Sequence, residues 1–136
     1  MWRRPAPAGV GNVRPPLALD VAAPDWERGL ADRFDALLAI NLVHIAPWAA
    51  ALGLFRGAAT LLAPGGALYL YGPYLRAEGP NAPGNLAFDR SLRAKNPAWG
   101  VRDLAEVLRA AEAAGLALRE TVAMPANNLS LILVRG

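Results

Sequence analysis

Ile40-Asn41-Leu42-Val43-His44-Ile45-Ala46-Pro47-Trp48 is the stretch on which the reading of this chain turns. It closes a nearly continuous apolar run that begins at Phe34. It becomes polar at Asn41 and His44, then resumes as a helical pattern behind Pro47. A buried strand that ends in a polar turn and continues into a helix is the building unit of an open α/β sheet. Such sheets bind ligands outside the carboxyl ends of their parallel strands. The only histidine of the chain lies in that turn.

Working outward, the periodicities alternate between strand and helix. Phe34–Ile40 is apolar except for Asp35, as suits a central parallel strand. Trp48, Leu52, Phe55, Ala59 and Leu62 recur at spacings of three and four, which predicts a helix with Pro47 at its first position. Pro64-Gly65-Gly66 stops that pattern, and Ala67–Tyr71 reads as the next strand. After a Pro- and Gly-rich loop, Asn85 caps a predicted helix that runs to about Ala94. A further helix is expected over Val101–Ala114, ended by Gly115. Leu116–Ala123 and Leu129–Val134 are predicted strands, and a link this short forces them antiparallel. Upstream, Leu17–Val21 reads as a short strand and Ala22–Arg33 as a short helix. Residues 1–11 read as a flexible leader. The expectation is one α/β domain over 12–136, with about five strands, mostly parallel, and helices on both faces.

Composition narrows the function classes. The chain has 136 residues, 54% of them hydrophobic and 18% charged, which excludes a disordered body. The net charge of +3 comes from arginines scattered singly among Ala and Gly, not from a stripe, so a nucleic-acid partner is not expected. Without cysteine there are no disulfides or thiolate metal sites, which suits a reducing cytoplasm. A lone histidine argues against a histidine-based metal centre. Asp35, Asn41, His44 and Pro47 interrupt the most apolar segment, so no membrane span is expected.

Strand direction gathers the candidate residues at one edge of the sheet: Asp20-Val21, Asn41 to Ile45, Tyr71 to Tyr74, and the Met124–Asn128 connection. Each has two readings. Asp20 suits a ribose hydroxyl or an exocyclic amine, and equally the capping of its own turn. His44 suits general-base work near neutral pH, or a hydrogen-bonded structural role. Tyr71 and Tyr74 are pocket walls or packed strand-end aromatics. Asn127 and Asn128 contact a substrate or satisfy a tight turn. Ser91 and Ser130 lack a nucleophile elbow, which argues against hydrolysis. Gly9-Val10-Gly11 follows no strand and precedes Pro15-Pro16, so it is not a phosphate loop.

Several segments together follow the pattern of one family. They are Asn12-Val13-Arg14-Pro15-Pro16-Leu17, Asn41 through Trp48, Leu70-Tyr71-Gly72-Pro73-Tyr74, Asn85 with Phe88-Asp89, Pro97 through Asp103, and Met124-Pro125-Ala126-Asn127-Asn128. Over about residues 12–135 the chain resembles the methyltransferase-like group known as domain of unknown function 938, of the class I S-adenosylmethionine-dependent methyltransferases. The resemblance implies a Rossmann-like fold, S-adenosylmethionine as cofactor and transfer of a methyl group to a small-molecule acceptor. It places Asp20, Val21, Asn41 and Leu42 at the cofactor. His44 and Tyr71 become the candidate catalytic groups, and Tyr74, Asn85, Asn127 and Asn128 border the substrate. The family's first strand, glycine-rich turn and ribose-binding acid have no counterpart here. The chain therefore reads as N-terminally truncated, with weakened cofactor binding expected. The alternative function is a non-catalytic remnant or association domain that pairs through an exposed sheet edge.

Overall fold

The computed structural model describes residues 11–30 and 33–136. The expected leader therefore lies almost wholly outside the described residues, as does part of the helix expected over Ala22–Arg33. Four strands and three α-helices follow in the order β1 (Phe34–Ile40), α1 (Trp48–Leu61), β2 (Leu62–Pro73), α2 (Pro83–Lys95), α3 (Leu104–Ala113), β3 (Leu116–Met124) and β4 (Asn128–Arg135). A single 3₁₀ turn, Trp26–Gly29, precedes them. The sheet order is β1-β2-β4-β3. β1 and β2 are parallel, and β4 runs antiparallel to both β2 and β3.

Side chains alternate across a strand, and here the two faces differ sharply. Leu37 and Ala39 of β1, Leu68 and Leu70 of β2, Leu131 and Leu133 of β4 and Leu116 of β3 join the core. Leu54, Phe55 and Ala58 of α1 and Val107 and Ala111 of α3 pack into it. Complete burial of one such leucine stabilises by about 1.5–3 kcal/mol. The other face carries Leu38, Ile40, Tyr69, Tyr71 and Ile132 in register. There Leu38 is 71% exposed and Ile40 60%. Helices were expected on both faces. Among the described residues α1 and α3 pack on one, and α2 lies at the carboxyl edge, with Phe88 against His44.

Two further expectations change. Leu17–Val21 forms no strand: residues 11–20 are exposed and unladdered, with Leu17 64% exposed. A strand needs a neighbour for its backbone groups, and none is offered to this segment. Among the described residues the strand count is accordingly four, against the expected five or so. Pro47 caps α1 from outside instead of occupying its first turn. Likewise Ala82 precedes α2, with Pro83 at the helix start, so Asn85 is free of the capping role. Asp103 caps α3, its carboxylate accepting from Ala105 N at 3.3 Å. Pro64-Gly65-Gly66 does not end the helix, which already stops at Leu61. It loops out of the β1–β2 ladder, whose register jumps from Phe34–Leu62 to Ala36–Ala67.

Candidate functional site

The carboxyl ends of β1 and β2 and the β3–β4 connection meet at one edge of the sheet, because Pro73 and Met124 both pair with Asn128. Asn41 leaves β1 in the left-handed region, at φ 55°, while its N–H still donates to Tyr71 O at 2.8 Å. Asparagine tolerates that conformation. The chain then folds into a turn closed by Ile45 N to Leu42 O, 3.2 Å.

His44 sits inside this turn, only 4% exposed. Gly72 of β2 makes room for it. A Cβ at position 72 would stand 3.2 Å from the imidazole Cε1 and 3.3 Å from Nδ1. Phe88 of α2 meets the ring edge to face, with centroids 5.6 Å apart at 65°. The His44 carbonyl accepts from Gly100 N at 3.1 Å. Neither ring nitrogen is hydrogen-bonded to a described residue, and neither is sealed from solvent. Burial first, and then the Arg102 charge, lowers the imidazole pKa from its ordinary value. The ring is therefore neutral at physiological pH, with a nitrogen lone pair available.

His44 opens onto a cleft of about 420 Å³ that also contains Asn41, Asn85, Phe88, Asn127 and Asn128. Among the described residues, no acidic, Arg or Lys side chain lines it. Asn85 Nδ2 donates to Asn127 O at 3.2 Å and so fastens α2 to the β3–β4 connection. That connection holds Ala126 at φ 59° and Asn127 at φ 60°. With Asn41, three of the four non-glycine residues at positive φ among the described residues surround one cleft. Such conformations cost of order 1 kcal/mol or more each and cluster at functional sites. A second cleft, of about 210 Å³, shares Asn85, Asn127 and Asn128 and is bordered by Tyr74 and Arg76.

Of the residues proposed from sequence, Asn41, His44, Asn85, Asn127 and Asn128 come together, and Tyr74 lies next door. Burial raises the Tyr74 pKa well above its ordinary value, so its phenol stays protonated. Tyr71 lines neither cleft. It pairs with Ile40 and Ser130 on the open face of the sheet. Asp20 Oδ1 accepts from Ala22 N at 3.0 Å, which is the turn-capping alternative. Val21 and Leu42 pack against the core. None of these three lines the cleft. Gly72, Phe88 and Arg102 were not singled out as site residues from sequence. Phe88 carried a usable signal, standing three residues after Asn85 on the same helical face. Arg102 lay inside the matching Pro97–Asp103 segment, but nothing local pointed it at residue 44.

The fold is that of the class I S-adenosylmethionine-dependent methyltransferases. Its solved counterparts include an O-methyltransferase family protein from Burkholderia thailandensis, with TM-score 0.68 and 18% identity, covering 81% of this chain and 33% of that one. Another is an O-methyltransferase family 2 protein from Planctomyces limnophilus in complex with apigenin, with TM-score 0.67 and 19% identity, covering 78% and 32%. A third is human N-acetylserotonin methyltransferase in complex with S-adenosylmethionine, with TM-score 0.63 and 12% identity, covering 75% and 29%. The chain thus spans about a third of the length of the structures it matches. Its sequence matches the profile of DUF938, a family of proteins of unknown function, over residues 2–135, and the chain belongs to that family.

Proposed function

We propose that the cleft at the carboxyl edge is the acceptor side of a methyltransferase that methylates a hydroxyl group on an uncharged small molecule. The observation that carries this reading is His44, a buried and neutral imidazole that lines a cleft to which no described charged side chain contributes. S-adenosylmethionine would supply an electrophilic methyl group. Of the residues expected at the cofactor, Asn41 alone lines the cleft.

With the cofactor bound, His44 would accept the proton of the acceptor hydroxyl as the new O–C bond forms and the methyl–sulfur bond breaks, with S-adenosylhomocysteine as the leaving group. The carboxamides of Asn85, Asn127 and Asn128 hold the acceptor's polar groups, and the edge of Phe88 and the flank of Ile45 supply apolar walls. Alignment of donor and acceptor contributes the remaining acceleration. The O-methyltransferases of the same fold, one of them holding apigenin, support a hydroxylated acceptor.

The test incubates the full chain with isotopically labelled S-adenosylmethionine and a panel of hydroxylated small molecules, with methylated products read by mass spectrometry. Turnover that falls about 10²- to 10⁴-fold in His44→Gln is the expected result. Activity unchanged in His44→Gln would remove the imidazole from the mechanism. No calorimetric binding of either S-adenosylmethionine or S-adenosylhomocysteine would favour the non-catalytic association domain instead.

A further inference from the structure

We propose that Arg102 is the positioning residue of this site: its guanidinium clamps the turn that carries His44 and sets a positive charge beside the imidazole. The inference rests on the reading of His44 as proton acceptor.

The geometry is a three-point grip. Arg102 Nη2 donates to Ala46 O at 2.8 Å and to Ala98 O at 2.8 Å, and Nε donates to Val43 O at 3.3 Å. Val43 and Ala46 bracket His44, so both shoulders of the turn are held by one rigid fork. The flat guanidinium also lies over the Trp48 ring, 5.6 Å from its centroid, at the first residue of α1. Planarity and five fixed donors are properties of Arg that Lys lacks. The backbone of Arg102 is itself pinned to the end of β2, since Arg102 O accepts from Leu75 N at 2.9 Å and Leu75 O accepts from Leu104 N at 2.8 Å. The clamp is therefore anchored on the sheet, not on a free loop.

The choice of acceptors is informative. A guanidinium makes its strongest hydrogen bonds to a carboxylate. Arg102 donates instead to three backbone carbonyls, and no carboxylate is bonded to it among the described residues. The surrounding charges are Asp89 and Arg93 on α2 and Glu106 on α3. Asp89 is already engaged by Arg93 Nε and by Val101 N, and Glu106 is exposed. Gly72 from β2, Phe88 from α2 and Asn127 and Asn128 from the β3–β4 connection add no ionisable group near the ring. The positive charge thus acts on the imidazole largely unopposed, and it disfavours a second cation there.

Because His44 is the only histidine, its ring resonances in a tag-free, isotope-labelled full chain report one site without ambiguity. NMR titration of wild type is expected to place the His44 midpoint below the ordinary histidine value. In Arg102→Gln the midpoint should rise measurably toward the ordinary histidine value. In Arg102→Lys, which keeps the charge without the fork, it should lie nearer wild type. A second measurement needs no variant: the Arg102 Nε–H resonance should be protected from exchange and should shift with the His44 midpoint. A folded Arg102→Gln protein with an unmoved midpoint would overturn the proposal, since loss of a purely structural arginine lowers melting temperature alone. So would an Nε resonance indifferent to the titration, which decides the matter if Arg102→Gln does not fold. These readouts need neither cofactor nor acceptor, so they succeed or fail separately from methyl transfer.

Discussion

His44 owes its state to neighbours from different elements: Gly72 leaves it space, Phe88 covers one side and Arg102 charges the surroundings. Only the histidine was legible in the sequence, as the lone titratable group in a strand-end turn. Its surroundings come from residues 72, 88 and 102, which no local pattern brings to residue 44. A lowered folded-state pKa also makes this residue a pH sensor of stability. Below about 6.5 the unfolded chain takes up a proton that the folded chain resists. Its contribution is therefore complete above that value and declines as pH falls. Melting temperature should accordingly drop between pH 7 and 5.5 in wild type, and the drop should be smaller in His44→Gln. Parallel curves for the two proteins would show that the imidazole is not the sensor.

Among the elements, α1 was the most legible and the least complete. Its existence and span were read nearly correctly, but its buried face was not: Leu52 is 43% exposed and Leu62 already belongs to β2, while Ala51, Leu54, Phe55, Ala58 and Leu61 are buried. The periodicity also says nothing about the helix's other side. There Gly53 and Gly57, one turn apart, form a bare strip against which the upstream segment lies. A Cβ on Gly53 would fall 1.8 Å from Val21 O, and one on Gly57 would fall 2.2 Å from the Trp26 indole Cζ2. Trp26 Nε1 donates to Gly53 O at 2.9 Å. An alanine in a helix ordinarily gains about 1 kcal/mol over glycine. At Gly57 the expected outcome is reversed, a net loss of about 1–2 kcal/mol from overpacking. In the background of Trp26→Ala the same Gly57→Ala change should become stabilising. Denaturant melts of the two single variants and the double variant measure the coupling. A single Gly57→Ala that stabilises would mean that the indole does not rest there. The strand expected at Leu17–Val21 failed for a related reason. Apolar pattern gives propensity, but a strand exists only when a neighbour accepts its hydrogen bonds.

At the scale of the whole molecule, the parallel β1–β2 pair and the antiparallel β4 were legible because connection length dictates direction. The one-sided coverage of the sheet was not. A continuous apolar run such as Phe34–Ile40 signals burial on both faces, whereas Leu38 and Ile40 here remain largely exposed. The cleft, by contrast, follows from topology, since three connections must converge at one edge. The Arg102 clamp carries a consequence in time as well as in space. Its donors reach carbonyls 59 and 56 residues earlier in the chain, and closing so long a loop is slow relative to forming a helix or hairpin. The His44 turn can therefore set only after β2 and the segment leading into α3 have docked. Interactions made after the rate-limiting step affect unfolding alone. In stopped-flow chevrons, Arg102→Lys should unfold faster than wild type while refolding at an unchanged rate. A slowed refolding limb would place the clamp in the nucleus instead. On this account the cleft is the last region to assemble and the first to open.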